Sequence, residues 1–283
     1  MSQSPGTPHQ DRTLAELLRV ARKAAAAGAH VLAGRNDGTL AAATEVNNKG
    51  QAGDWVTAYD LAAETAVRDV IALERPHDSI TGEEQGPTRP ADPSGYRWSI
   101  DPLDGTTNFI RNIVYYGTSV AVADADGVWL AGVVDAPALG KVYFASRGQG
   151  AWVESAGHVT QLTGPQPGRT GQILATGFSY DPAVRAEQAE LLGDLMEGFA
   201  DVRRLGSAAL DLCLVAEGTH DAYGERGLNE HDFAAGALVA EEAGCWVRRP
   251  RMTSPLEGGP SDEDRLAAWT CAGTLELSGK FPL

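Results

Sequence analysis

The chain has 283 residues, 43% of them hydrophobic and 22% charged, with a formal net charge of −15. This is enough apolar material for one large domain or two closely packed halves, and the acidity argues against a nucleic-acid or anionic-membrane partner. An acidic protein that handles an anionic substrate must also place positive charge in its site, and bound divalent cations would supply it.

The opening stretch MSQSPGTPHQDR lacks a hydrophobic signal core and is expected to be a disordered lead-in over residues 1–12. Residues 13–33 have helical apolar spacing and an alanine-rich composition. Residues 34–56 are rich in Gly and Asn and read as a loop with a short strand pair. A second helix is expected over 60–74, with Asp60 at its start, followed by a short strand around Ile80 that turns at Gly82-Glu83-Glu84. Prolines and glycines mark 86–95 as a loop, and the strand YRWSI then delivers Asp101 at its end. Strands at 117–123, 128–136, 141–146 and 150–155 follow in quick succession, the pattern of a β-meander.

Beyond them come a strand at 172–178, a helix at 182–198, a strand at 201–205 and a helix from Ser207, its N-cap, to Gly218. A strand at 221–225, a helix at 231–244 with Asp232 near its start and Gly244 at its end, and a final strand at 245–250 complete the series. The segment 251–265 is expected to be an acidic loop. Helices first, then mixed strands, then alternating helices and strands indicate layered sheets and helices rather than a simple doubly wound fold. The three cysteines, Cys213, Cys245 and Cys271, contain no CxxC pair and read as small buried hydrophobes. They suit a reducing, cytoplasmic compartment. No apolar run reaches the roughly 18 residues of a membrane span.

The acids at element ends are Asp60, Glu83, Glu84, Asp101, Asp104 and Asp232. Carboxylates gathered without histidine or cysteine partners suit a hard cation such as Mg²⁺. None of the six histidines shows an HxxxH or similar ligand spacing, so zinc is not expected. In SIDPLDGTTNF, residues 99–109, Asp101 can bridge two ions and Asp104 can hold the second, while Pro102 stiffens the link and turns the Leu103 carbonyl toward the same point. Two such ions about 3.5–4 Å apart clamp a phosphoryl group. Gly105 and Thr106 would then present backbone N–H groups to phosphate oxygens. Taken alone, DPLDG is equally readable as a turn, Asp60 and Asp232 as helix caps, and Glu83-Glu84 as a solvated pair.

Three segments in this order, GEE at 82–84, DPLDGTTNF at 101–109 and HDFAAG at 231–236, resemble the motifs of the inositol monophosphatase family, lithium-sensitive, Mg²⁺-dependent phosphomonoesterases. The resemblance covers roughly residues 13–248. It implies a five-layered α-β-α-β-α sandwich, commonly dimeric. Residues 13–283 would form a single catalytic domain, with an N-terminal half at about 13–150 and a C-terminal half at about 151–283.

The implied ligands of a first metal are Glu83, Asp101 and the Leu103 carbonyl; of a second, Asp101, Asp104 and Asp232; of a third and weaker one, Asp60. Glu84 would lie behind the first metal near the water, and Thr106 with Asp60 would orient or deprotonate that water. Ser207 and Ala208 in GSAAL would line the sugar or cyclitol site, Glu225 would accept substrate hydroxyls, and Lys49 would sit on a mobile loop near the third ion.

The implied reaction is direct in-line hydrolysis of a phosphate monoester by metal-activated water. The family's nucleotide branch tends to carry Lys where this chain has Thr107. That difference, with Glu225, favours an inositol monophosphate over a nucleotide. Histidinol phosphate, fructose 1,6-bisphosphate and a regulatory binding role remain alternatives. The chain departs from the family pattern at His231, where Trp is usual, and at Tyr59, where Thr or a small residue is usual. His231 is either a packing substitute or a contact to substrate. The family usually ends in a helix, whereas here the last ten residues end early.

Overall fold

The computed structural model describes residues 8–36, 47–48, 55–250 and 254–281. The first helix, α1 (Pro8–Ala33), starts five residues before the expected Thr13, so the lead-in gives way to helix within 1–12. The expected strand pair is present between the first two helices, β1 (Asn47–Asn48) against β2 (Trp55–Val56), antiparallel. Helix α2 (Ala58–Glu74) is closed by a capping box: the Thr57 side chain accepts from the helix start, and the third helical residue, Asp60, accepts from the Thr57 backbone.

A seven-stranded sheet is built from β3 (Ser79–Gly82), β4 (Arg97–Asp104), β5 (Gly117–Ala123), β6 (Trp129–Ala136), β7 (Lys141–Ser146), β8 (Ala151–Ser155) and β9 (His158–Gln161), with α3 (Thr106–Ile110) between β4 and β5. Its strands lie in chain order. Only the β3–β4 pair is parallel; the rest form the expected meander. The last hairpin, not foreseen, closes through Ala156 (φ 49°) and Gly157 (φ 77°). Two positive φ angles in succession are the backbone of a type I′ turn, whose twist matches that of the flanking strands.

A second sheet holds β10 (Ile173–Ala175), followed in the chain by α4 (Pro182–Met196), β11 (Asp201–Arg203), α5 (Ala208–Glu217), β12 (Ala222–Arg226), α6 (Glu230–Glu242), β13 (Trp246–Arg248), α7 (Asp262–Ala267) and β14 (Trp269–Gly273). Its order is β11-β10-β12-β14-β13. The strand at 245–250 is therefore not the last. β14 comes after it and inserts between β12 and β13, antiparallel to both. The expected acidic loop is likewise partly ordered: a 3-10 turn at Pro255–Glu257 and α7 occupy it, and 251–253 fall outside the described residues. The described chain ends in a 3-10 helix, Leu275–Lys280, in place of the family's usual helix.

The layers follow from which faces are apolar. α1 buries Leu17, Val20, Ala21, Ala24 and Ala25, and with Val67 and Ile71 of α2 they meet Ile100, Val120, Val122 and Val133 of the first sheet. The other face of that sheet, through Val134 and Tyr143, packs on α5 and α6, which in turn meet Tyr223 and Ala272 of the second sheet. The far face of the second sheet, through Leu174, Ala222 and Cys271, is covered by Leu195 of α4 and by Leu277 and Phe281.

The result is the five-layered α-β-α-β-α sandwich. The middle layer is tight because its helices carry small residues. A Cβ added at Gly236 of α6 would come within 2.7 Å of the Ala209 carbonyl oxygen on α5, so a methyl group there would force the two helices apart. All three cysteines are buried and unpaired, as expected.

Candidate active site

β4 is the spine of the site. Ile100 pairs with Val120, Asp101 with Ser119 and Asp104 with Gly117, so between the two aspartates β4 uses one more residue than its partner strand. The extra residue makes a bulge at Pro102, which has no N–H to lose to the ladder. The bulge is held on both sides: the Leu103 N–H donates to Asp101 Oδ1 at 3.1 Å, and Thr118 Oγ1 donates to the Pro102 carbonyl at 2.9 Å. Asp101 and Asp104 are both buried as a consequence.

Gly105 then turns the chain into α3 at φ 97°. A side chain there would place its Cβ 2.9 Å from the Tyr115 carbonyl oxygen. The position requires glycine on both counts. Thr106 opens α3 with its Oγ1 3.2 Å from Asp60 Oδ1 and 3.0 Å from the Leu103 oxygen. The other Asp60 oxygen, Oδ2, accepts from the Thr57 N–H and from Thr57 Oγ1, at 2.8 and 2.5 Å. The capping chemistry of α2 thus fixes the carboxylate that faces Thr106.

The other carboxylates arrive from separate elements. Glu83 follows β3, where its N–H donates to the Ile100 carbonyl at 3.2 Å. The turn after it is clamped by a residue the sequence reading missed. Glu64 of α2, fully buried, accepts from the N–H groups of Glu84 and Gln85 at 2.7 and 3.1 Å and pairs with Arg68 at 2.7 Å. A pair of opposite charges four residues apart on one helix was the available signal.

Asp232 is the third residue of α6 and closes a capping box with Asn229, whose N–H donates to Asp232 Oδ2 at 2.6 Å. Glu230, the first residue of α6 and two before Asp232, forms a buried ion pair with Arg97 of β4, which pins the start of α6 to the first sheet. Asp104 Oδ2 accepts from Ser207 Oγ and from the Ala209 N–H, both at 2.7 Å, at the N-terminus of α5.

These groups border a cavity of about 710 Å³. Glu83, Asp101, Leu103, Asp104, Gly105, Thr106, Ser207, Ala208, Glu225 and Asp232 all line it, so most of the residues named from the sequence converge on one space. Asp60 stands behind Thr106 and reaches the space through that hydroxyl. Glu84 is not among the lining residues; its backbone faces Glu64. Lys49 lies outside the described residues. The sequence reading did not name Arg204, Arg265, Asp211 or Trp55, which also line the cavity. Asp211 accepts from the Tyr115 hydroxyl at 2.8 Å.

The electrostatics state what is missing from a bare protein. Burial, and then the charges of Glu83, Asp104 and Asp232, hold the Asp101 carboxyl well above the usual carboxylate range. Asp104 is pushed up to about 7, chiefly by burial, despite the lowering effect of Ser207. Asp232 is raised by burial, with His231 opposing. Glu225, which accepts from the Tyr223 hydroxyl at 2.7 Å, is pushed up to about 7 by burial. Four carboxyls, Asp101 and Asp104 buried and Asp232 and Glu225 half-buried, that resist ionisation together are a donor set that a cation would stabilise. All their first-row donors are oxygen, as Mg²⁺ prefers. Among the described residues, ligand atoms of Glu83, Asp101 and His231 also lie within 4.8 Å of one another. The absence of a histidine ligand spacing along the sequence stands, but His231 approaches two acids from distant segments, Glu83 after β3 and Asp101 on β4, which a spacing test does not register.

A sequence model described as the inositol monophosphatase family matches residues 13–268. The chain is 44% identical over 217 residues to an inositol-1-monophosphatase of Mycobacterium leprae, covering 72% of each protein. It is 41% identical over 209 residues to the Nus factor SuhB of Escherichia coli K12, covering 71% of this chain and 74% of that one. Among solved structures, SuhB of Mycobacterium tuberculosis superposes with a TM-score of 0.73 at 32% identity, covering 96% of this chain and 94% of the other. SuhB of Bartonella henselae superposes with a TM-score of 0.77 at 30% identity, covering 92% and 94%. Fold and relatives together define a phosphoric monoester hydrolase. The chain belongs to the inositol monophosphatase family.

Proposed function

We propose that this phosphatase is Mg²⁺-dependent, holds two or three ions, and acts on an inositol monophosphate. The observation that carries the reading is the convergence of Glu83, Asp101, Asp104 and Asp232 on one cavity together with the half-buried Glu225. The residues that would hold the ions are Glu83, Asp101 and the Leu103 carbonyl for the first, Asp101, Asp104 and Asp232 for the second, and Asp60 for the third. When bound, the ions supply Lewis acidity toward water and phosphate oxygens and offset the negative charge of site and substrate.

The chain's own residues do the positioning. Thr106 Oγ1, set between Asp60 Oδ1 and the Leu103 oxygen, has one proton and donates it to one acceptor at a time. When it donates to Asp60, its lone pairs are free to orient an attacking water, and Asp60 takes up the displaced proton. Gly105 and Thr106 present backbone N–H groups toward the phosphate. Ser207 keeps Asp104 turned into the cavity. Glu225, across the cavity on β12, is placed to accept hydroxyl protons of a polyol. It is also what favours an inositol over a substrate with no hydroxyl to offer. The site draws on both sheets, which supports residues 13–283 acting as one catalytic unit. Lithium inhibition, a homodimer and a cytoplasmic setting follow from the family reading; among the described residues no helix is long and apolar enough to cross a membrane.

A second reading rests on the similarity to a protein named Nus factor SuhB: a regulatory role through binding, alongside catalysis or in its place. Phosphate release from myo-inositol 1-phosphate, histidinol phosphate and fructose 1,6-bisphosphate, with and without Mg²⁺, tests the first reading. A Mg²⁺-dependent preference for the inositol ester supports it, and a preference for another ester replaces the substrate. No release from any of them, with physiological complementation by Asp101→Asn equal to wild type, would favour the regulatory role.

A further inference from the structure

His231 is the second residue of α6 and precedes Asp232. Its side chain is only 19% exposed, lines the cavity, and puts one ring nitrogen within 4.8 Å of carboxylate oxygens of both Glu83 and Asp101. Three donors this close can close onto one ion, at coordination distances of roughly 2.0–2.3 Å, with small side-chain adjustments. The scaffold holds all three. Glu83 is tied to β4 through the Ile100 carbonyl, Asp101 through the Leu103 N–H, and the start of α6 through the Arg97–Glu230 pair and the Asn229–Asp232 cap. Ser119 of β5 also reaches the His231 carbonyl at 3.5 Å. The imidazole is therefore delivered to the same point as the first metal's carboxylates and does not merely fill space beside them.

We propose that His231 is a nitrogen ligand of the first metal site, shared with Glu83 and Asp101, and that it raises the affinity of that site for a nitrogen-preferring transition ion such as Zn²⁺ relative to Mg²⁺. The inference rests on the metal-dependent reading above. An oxygen-only site takes Mg²⁺ well, because that ion is small, hard and content with carboxylates and water. One imidazole changes the ranking, since nitrogen donors strengthen binding to transition ions along the Irving–Williams order and do little for Mg²⁺. The rival role for His231 is an ion pair with Asp232, whose Oδ1 lies 3.5 Å from Nε2. That role would leave the nitrogen off the metal.

Pulsed electron paramagnetic resonance on the full-length, metal-stripped protein with one equivalent of Mn²⁺ separates the two. Direct ligation gives ¹⁴N modulation in the wild type, and this changes to the ¹⁵N pattern when the protein is labelled with ¹⁵N-histidine. His231→Gln, which keeps a polar group of similar reach but an oxygen donor, removes the histidine signal. In parallel, titration calorimetry should show the Zn²⁺ affinity of His231→Gln falling by at least about tenfold and the Mg²⁺ affinity changing by less than about threefold, with Mn²⁺ between the two. Mn²⁺ bound without nitrogen coupling in the wild type, or equal losses for all three ions, would overturn the proposal and leave the metal-dependent reading standing. No Mn²⁺ binding at all would remove both. The wild-type spectrum decides the question even if the variant fails to fold.

Discussion

Replacing Glu225 by glutamine removes a half-buried negative charge while keeping the side chain's shape and its ability to accept from the Tyr223 hydroxyl. The Glu225 carboxyl is pushed up to about 7 from an ordinary value of 4.5, mainly by burial. A carboxyl whose folded value is raised contributes no penalty below its unfolded value, and costs stability as pH rises from about 4.5 to about 7. From these two values the penalty is about 0.8 kcal/mol at pH 5 and about 3.3 kcal/mol at pH 8.

In EDTA, Glu225→Gln should therefore gain on wild type by about 2.5 kcal/mol between pH 5 and pH 8, as read from urea unfolding. In thermal scans that corresponds to roughly 4 °C for a chain of this size. The comparison between the two pH values cancels any constant packing cost of the substitution. A gap that stays the same at both would refute the claim that Glu225 is held ionised at a cost. If Glu225 accepts substrate hydroxyls as proposed, the same variant should raise KM for a polyol phosphate more than it lowers kcat, since Glu225 lines the cavity.

Thr106→Ala should lower kcat by about 10²–10⁴ with little change in unfolding temperature, because the hydroxyl links Asp60 to the cavity and carries little of the core. Gly105→Ala forces a side chain into φ 97° and against the Tyr115 carbonyl oxygen. It should cost about 1–3 kcal/mol in urea unfolding and reduce metal affinity, since the same turn follows Asp104 directly. Arg97→Met leaves Glu230 buried without its partner and should cost about 3–5 kcal/mol, while the double variant Arg97→Met/Glu230→Leu recovers most of it. Failure of the double variant to recover would mean that the pair is more than an anchor for α6.

Some of this protein was legible in one dimension because the signals were local. The meander at 117–155 shows apolar alternation and turn residues, and the Ser207 and Gly218 caps of α5 are where their chemistry puts them. The central motif announces the site because its acids, proline and glycine are adjacent in sequence. What escaped depended on neighbours far along the chain. β14 carries Trp, Thr, Cys, Ala and Gly, and Thr270 to Gly273 are all buried. A strand covered on both faces shows no alternation, and its place between β12 and β13 is set by pairing alone. Glu64 looks like any helical acid until the Glu84–Gln85 turn folds over it. His231 passes unnoticed in a spacing test confined to one segment, because the acids it approaches, Glu83 and Asp101, lie after β3 and on β4.

Asp104 is satisfied by α5, more than a hundred residues downstream. This separation also has a meaning in time. A chain leaving the ribosome presents Glu83, Asp101 and Asp104 long before Ser207, Glu225 and Asp232 exist. The early carboxylates must wait, protonated or solvated, until the second sheet has been made and α6 has docked. Ion capture by the full proposed set would have to wait for α6, so such ions could lock the assembled sandwich but could not serve as a template for its first half.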